Sequence, residues 1–286
     1  MNKKVSVIVP NYNYGRYIRK RIQSILKQTH PIHELIVLDD ASTDGSAEMV
    51  RGIVLDLNAQ NPNLNVRFVG NKKNSGKAML AWEQGLELVT GDYVWIAEAD
   101  DLCSRRFLEE VMKGFDDSDV VLSYTESVII NSAGIMIAPN FRWSRDKEKT
   151  GHYKKSYIKD GRKEIEEIMA IRCTIPNVSA AVFRKDAIKA KDLEKALEFT
   201  QVGDWYLYVK VLENGKISYD HKALNRFRVH GGSKTAESKK DSDHYKEVLW
   251  MHEYFKKNYD LDKKVIQAMQ QEEMRIRAKH GIIEYK

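Results

Sequence analysis

Long apolar runs, internal repeats and low-complexity tracts are all missing from these 286 residues. A membrane-spanning helix needs about 20 consecutive apolar residues, and no stretch comes near that. The apolar run in the opening MNKKVSVIVPNYN stops at Pro10, too short for the core of a signal peptide. The expectation is a soluble cytoplasmic protein, at most peripheral at the inner face of a membrane. Cysteine is nearly absent. Cys103 and Cys173 have no metal-ligand spacing and read as isolated thiols in a reducing compartment. No nucleic-acid-binding signature occurs: the 47 Lys and Arg are interleaved with 41 Asp and Glu, the pattern of a solvated surface. The net charge of +6 suits an anionic small molecule such as a nucleotide diphosphate, and a membrane surface equally well.

What is present is a rhythm. Val5–Val9, Glu34–Leu38, Val66–Val69 and Tyr93–Ala97 are short apolar runs of the kind found in strands buried on both faces. Between them lie helical stripes: Ile18, Ile22, Ile25 and Leu26; then Ala47, Val50, Ile53 and Val54, capped by Ser46 or an earlier hydroxyl; then Ala78 to Leu88. Strand and helix alternating at this spacing predict a right-handed, mostly parallel α/β sheet. Further on, the pattern predicts a helix around Leu108–Phe115, strands at Val120–Tyr124 and Val128–Asn131, and a hairpin at Ser132-Ala133-Gly134. A long polar loop at 138–161 and a helix near Lys163–Ile171 come next, then a strand at Ala180–Phe183. A helix from Trp205 to Gly215 and a strand at Asn225–Val229 follow, and two amphipathic helices begin at His244.

Ligands of parallel α/β sheets bind beyond the carboxyl ends of the strands. Four polar clusters fall there: Pro10-Asn11-Tyr12-Asn13, Asp39-Asp40, Asn71 to Lys77, and Glu98-Ala99-Asp100-Asp101. One acid after a strand is ordinarily a helix cap, and Asp100-Asp101 could cap a helix over Leu102–Phe115. Acidic clusters at neighbouring strand ends need more, because crowded carboxylates repel unless a cation or proton sits among them. A divalent metal, Mn2+ or Mg2+, held by one or two carboxylates and substrate phosphates meets that need.

The blocks VSVIVPNYN (5–13), LIVLDDASTDGS (35–46) and GDYVWIAEADD (91–101) together resemble the family 2 inverting glycosyltransferases, enzymes of the GT-A fold. The resemblance covers residues 3–130 well and 175–235 more loosely. It implies a GT-A-like α/β domain, a nucleotide-diphospho-sugar donor, a glycan or lipid-linked glycan acceptor and a role in surface polysaccharide assembly. Pro10 and Tyr12 match positions that wrap the base. Asp40 matches the carboxylate that bonds a uracil- or thymine-type imide, which favours a UDP- or dTDP-sugar. Asp100 matches the carboxylate near the ribose and metal, and Asp101 the metal ligand of the DXD-type motif. Glu98 stands where many relatives have Asp. Asn74-Ser75-Gly76-Lys77 looks like the family's Asn-x-Gly-Lys start, which makes Lys77 a donor contact, although Glu83 replaces the usual Asn downstream.

Asp204, in Gln201-Val202-Gly203-Asp204-Trp205, matches the family's catalytic base; a helix N-cap is the plain alternative. Phe227-Arg228-Val229-His230-Gly231-Gly232-Ser233 resembles a late segment in which His approaches the metal or diphosphate, so His230 is a metal ligand by resemblance, with Ser233 and Lys234 near the phosphates. Asn177 or Ser179 could bond sugar hydroxyls, and Trp143 or Trp205 could stack on a sugar ring or pack in the core. The expected organisation is a donor half (1–130), an acceptor-side half carrying the base (131–235) and a C-terminal helical extension (236–286) whose stripes could also contact a membrane or a second subunit. Two other readings remain. One is a non-catalytic nucleotide-sugar-binding or scaffold module. The other is a sugar-phosphate nucleotidyltransferase, which would carry a glycine-rich basic loop where Pro10-Asn11-Tyr12-Asn13 stands.

Overall fold

The computed structural model describes residues 3–147, 150–231 and 242–280. Ten strands form one mixed sheet: β1 (Val5–Asn11), β2 (Glu34–Asp39), β3 (Asn65–Gly70), β4 (Tyr93–Ile96), β5 (Leu102–Cys103), β6 (Val120–Ile130), β7 (Met136–Ala138), β8 (Tyr157–Asp160), β9 (Ala181–Arg184) and β10 (Lys216–Arg228). Their order is β3-β2-β1-β4-β9-β6-β10-β5, with β7 beside β6 and β8 beside β10. β3, β2, β1 and β4 run parallel, as the alternation with helices requires. β9 pairs antiparallel with both β4 and β6, joining the halves of the chain in a single sheet.

The sheet is covered on both faces, which is why β1 and β2 are buried at every position. In β1 the pleat sends Val5, Val7 and Val9 toward the helices Gly15–Leu26 and Ser46–Gln60, while Ile8 goes to the opposite core. That second core holds the helices Ala78–Leu88 and Gly203–Leu212. It also takes Val248, Met251 and Phe255 of the helix Ser242–Asn258 and Val265 and Met269 of the helix Lys263–His280. The apolar stripes of the C-terminal helices are thus used inside the chain. None of the described helices is long and apolar enough to cross a membrane.

A Cβ added to Gly85 would lie 2.6 Å from Ile8 Cγ2, so the helix Ala78–Leu88 can lie this close to β1 only with glycine there. We expect Gly85→Ala to lower the unfolding free energy by roughly 1–3 kcal/mol, the usual cost of overpacking; an unchanged melting temperature would contradict this contact.

Several local expectations are corrected. Val120–Ile130 is one strand rather than two, and β10 extends back to Lys216 instead of starting at Asn225. Register shifts between β6 and β10 near Asp220 and Ala223 break the alternation that periodicity relies on. The stretch read as loop, 138–161, contains β8 and the short helix Arg142–Arg145. No continuous helix covers Leu102–Phe115: Leu102 and Cys103 pair with β10, and the helix begins at Phe107. No hydroxyl caps the helix Ser46–Gln60: Gly45 stands at its N-cap position, and Asp44, just before it, accepts from the Ser46 N–H at 3.0 Å. Its other oxygen accepts from the Gly15 N–H at 2.8 Å, so one carboxylate closes two helix starts.

Candidate active site

Because β1, β2 and β4 are parallel, their carboxyl ends open on one edge, and the predicted polar clusters meet there. Asp39 and Asp40 turn out to do different things. Asp39 is buried and accepts from Asn11 Nδ2 at 2.6 Å and from the Ser42 N–H at 2.9 Å, tying the ends of β1 and β2 together. Asp40 points to the loop after β3, where it accepts from Asn71 Nδ2 (2.9 Å), the Ser75 N–H (2.9 Å) and Ser75 Oγ (2.7 Å). Asn13 and Ala41 both hold a positive φ of 59° in the turns beside these residues. Pro10 is buried within β1 opposite Leu38, whereas Tyr12 is 42% exposed and is the ring that faces solvent. Lys77 reaches across the mouth and donates to the Leu197 carbonyl at 2.6 Å.

Beyond β4 the chain turns sharply, the Asp101 N–H donating to the Glu98 carbonyl at 3.2 Å. Arg106 takes the N-cap position of the next helix, so capping does not account for Asp100 and Asp101. Asp101 is 1% exposed. Its Oδ1 accepts from the Arg228 N–H at 2.8 Å, and its Oδ2 is buried without a partner. Burial first, and the charge of Asp100 second, hold its carboxyl well above the usual range; the Arg21 guanidinium acts the other way. Burial and the Asp100 charge push Glu98 up to about 8. Glu98 is held by Trp82 Nε1 at 2.9 Å, and its N–H donates to Ser179 Oγ at 3.0 Å.

His230 arrives from the end of β10 with Nε2 3.0 Å from Asp100 Oδ2, its ring flanked by Tyr14 and Tyr17. Arg228 fixes this corner. Its Nε donates to the Asp100 carbonyl at 2.6 Å, its Nη1 to the Asn131 carbonyl at 2.8 Å, and its guanidinium lies 4.6 Å from the Tyr17 ring centre. Behind the turn, Arg21 is fully buried, 5.0 Å from the ring of Trp95, with all three guanidinium nitrogens unpaired.

Asp204 is the second residue of the helix Gly203–Leu212 and not its cap, a position taken by the apolar Val202. The glycine before it has a steric cause: a Cβ on Gly203 would lie 2.5 Å from the Ala196 carbonyl oxygen. Asp204 Oδ1 accepts from the Trp205 N–H at 2.8 Å, which sets the plane of the carboxylate. Burial raises its carboxyl to about 6. Tyr208, one turn along the same helix, is buried and feels the charges of both Asp204 and Glu98.

Some expected contacts are placed elsewhere. Asn177 is buried against Ser127 Oγ (3.1 Å) and Asn225 Nδ2 (2.9 Å). Ser179 is inside, bonded to Glu98 and Trp95. Both are hydrogen-bonded into the scaffold under the turn. Trp205 packs against Phe255 in the core. Ser233 and Lys234 and the Trp143 side chain lie outside the described residues. Arg21, Ser75 and Arg228 are parts of the site that the motifs did not reveal: Ser75 and Arg228 lie inside the segments 74–77 and 227–233 with no role assigned to them, and Arg21 is a polar residue in an otherwise apolar helical stripe.

The donor set of Asp100, Asp101 and His230 has the chemistry of a divalent-metal site, and the orphaned Oδ2 of Asp101 is the atom such an ion would satisfy. Among the described residues no three acidic, His or Cys groups are already gathered around a common point. A substrate diphosphate would therefore have to complete the coordination.

The family model for glycosyl transferase family 2 matches residues 6–189. This chain belongs to that family. Among curated relatives of this family 2 chain, the glycosyltransferase GlyG of Streptococcus pneumoniae is 33% identical over 44% of the chain and 42% of its own length. The poly(ribitol-phosphate) beta-N-acetylglucosaminyltransferase TarP of Staphylococcus aureus is 39% identical over 38% of the chain and 32% of its own. The chain thus spans less than half the length of either. The structure of S. aureus TarS with UDP-GlcNAc superposes with a TM-score of 0.67 at 20% identity, covering 96% of this chain and 73% of that one. The likeness to TarS establishes the GT-A-like fold.

Proposed function

We propose that this family 2 chain transfers a sugar, with inversion, from a nucleotide diphosphate to an acceptor hydroxyl. One observation carries the reading. Two acidic centres have distinct surroundings: a carboxylate pair after β4 with an unsatisfied buried oxygen, and a separate carboxylate, Asp204, whose burial tunes it to about 6. Asp40, Ser75 and Asn71 would receive the base, with Tyr12 covering it. Asp40 accepts hydrogen bonds, so it suits the imide N–H of uracil or thymine, and a UDP- or dTDP-sugar is the donor we favour. TarS with UDP-GlcNAc agrees with that choice, whereas the structural neighbour PcManGT holds GDP-Man and Mn2+.

Asp100 would bond on the ribose side. Asp101, with His230 beside it, would hold a divalent cation, which when bound offsets negative charge on the diphosphate. Lys77 would turn from the Leu197 carbonyl to the phosphates or ribose. Asp204 Oδ2 would accept the proton of the acceptor hydroxyl. The acceptor's hydroxyl oxygen then bonds the anomeric carbon from the face opposite the diphosphate, whose own bond to that carbon breaks. The acceptor we favour is a glycan or lipid-linked glycan in surface polysaccharide synthesis, in keeping with TarP and with the putative teichuronic acid glycosyltransferase TuaG of Bacillus subtilis.

A thermal-shift screen of UDP-, dTDP- and GDP-sugars with and without Mn2+ tests the donor assignment. The expected result is stabilisation of several degrees by a UDP- or dTDP-sugar, larger with the metal. No shift with any nucleotide sugar, and no transfer to a panel of glycan acceptors, would overturn it.

A further inference from the structure

The helix that carries Asp204 begins without a local cap. Val202 at the N-cap position has no side-chain acceptor. The N–H groups of the loop leading into the helix, 200–202, find theirs 45 to 47 residues downstream. Glu247, on the helix Ser242–Asn258, accepts from the Thr200 N–H through Oε1 at 2.8 Å. Its Oε2 accepts from the Gln201 N–H at 2.7 Å and the Val202 N–H at 3.0 Å. Three consecutive amides thus converge on one carboxylate, and hydrogen bonds to a charged acceptor are roughly twice as strong as neutral ones.

Other contacts restrict the same helix. Trp205, the neighbour of Asp204, lies 5.7 Å from Phe255 and 6.2 Å from His252, ring centre to ring centre. His252 is anchored in turn by Glu273 Oε1 at 2.6 Å and the Ile171 carbonyl at 3.3 Å. The aromatic contacts limit rotation of the base helix about its axis. The Gly203–Ala196 contact blocks it on one side. Glu247 holds its start along the axis.

We propose that Glu247 is a positioning residue for the transfer reaction: it holds the loop 200–202 so that the carboxylate of Asp204 meets the acceptor hydroxyl at reacting distance. The inference rests on the reading of Asp204 as the base. It makes the C-terminal helices part of the active site's support, since a misplacement of about 1 Å in a catalytic group costs on the order of 10²-fold in rate.

The test uses the full chain with Glu247→Ala, Glu247→Asp and Asp204→Asn, measuring kcat, KM for the acceptor and donor affinity by calorimetry. Glu247→Ala should lower kcat by about 10–100-fold while donor affinity stays within about twofold, because the nucleotide-binding edge is untouched. Glu247→Asp keeps the charge and two acceptors and should recover most of the rate. Amide exchange at 200–203 should quicken in the alanine variant and not in the aspartate one. An alanine variant with normal kcat overturns the positioning role. So does one that loses donor affinity in parallel with rate and is not rescued by aspartate, because that is a general folding defect. If Asp204→Asn itself retains normal rates, the base assignment fails first and takes this inference with it. If Asp204→Asn is inactive and Glu247→Ala is normal, the positioning role alone fails.

Discussion

Asp204→Asn should abolish sugar transfer and at the same time make the protein more stable at neutral pH. General-base catalysis by a positioned side chain contributes typically 10²–10⁴-fold, so transfer should fall by about 10³-fold with donor binding unchanged. The stability effect has the opposite sign and a separate origin. Burial raises the Asp204 carboxyl to about 6 in the folded chain, above its value in the unfolded chain. A group whose pKa is raised on folding favours the folded state in its protonated form, below the unfolded value. That contribution is lost as pH rises through about 6. At pH 7 the ionised, half-buried carboxylate therefore costs stability, on the order of 1–3 kcal/mol. The asparagine variant escapes that cost, and its melting temperature should exceed the wild type's by a few degrees at pH 7–8, the difference vanishing below about pH 4. The same pKa sets the rate profile: kcat/KM should fall on the acid side with a midpoint near 6. Near-normal transfer by Asp204→Asn would require another base. A variant less stable than the wild type at pH 8 would mean that burial does not strain this carboxylate.

Asp101→Asn should remove the metal-dependent part of donor affinity while leaving the fold intact. The carboxamide oxygen can still accept from the Arg228 N–H, so the contact between the turn after β4 and the end of β10 survives. What changes is the second atom: an N–H2 group replaces the unpartnered Oδ2. A donor group cannot ligate a cation, and the variant should bind UDP equally with Mn2+ and with a chelator, at least tenfold more weakly than the wild type with Mn2+. Chelation of the wild type should bring it to the affinity of the variant. If Mn2+ strengthens UDP binding as much in the variant as in the wild type, Asp101 is not the ligand. These two substitutions test separately the two proposed roles, anchoring of the donor and removal of the proton, assigned to carboxylates about a hundred residues apart in sequence.

The first hundred residues were readable because their signals are local. Apolar runs of four or five residues give β1 to β4 within about two residues, and the helical stripes between them mark three helices, the second of which runs on six residues past its stripe. The acidic clusters at their carboxyl ends then follow from parallel pairing alone. The second half resisted the same reading. β10 carries register shifts against β6, so its residues do not alternate cleanly, and only its last four, Asn225–Arg228, read as strand. β8 and β5 are four and two residues long and exist because β10 offers each an edge. Periodicity in one segment cannot report an interaction whose partner is elsewhere in the chain.

The sequence by itself determined the fold class and the parallel run of its early strands, and it supplied the candidate carboxylates, since residue type and short-range spacing settle those. Tertiary structure decided how each carboxylate is held. Asp39 and Asp40 are adjacent and identical in type, yet one is consumed in joining β1 to β2 while the other turns to the loop after β3. The shifts at Asp101 and Asp204 come from burial, a property of what packs over a residue and not of its neighbours in sequence. The C-terminal helices read only as amphipathic stripes; folding alone packs them into the second core and sets Glu247 against Thr200, Gln201 and Val202, over a distance no local rule spans.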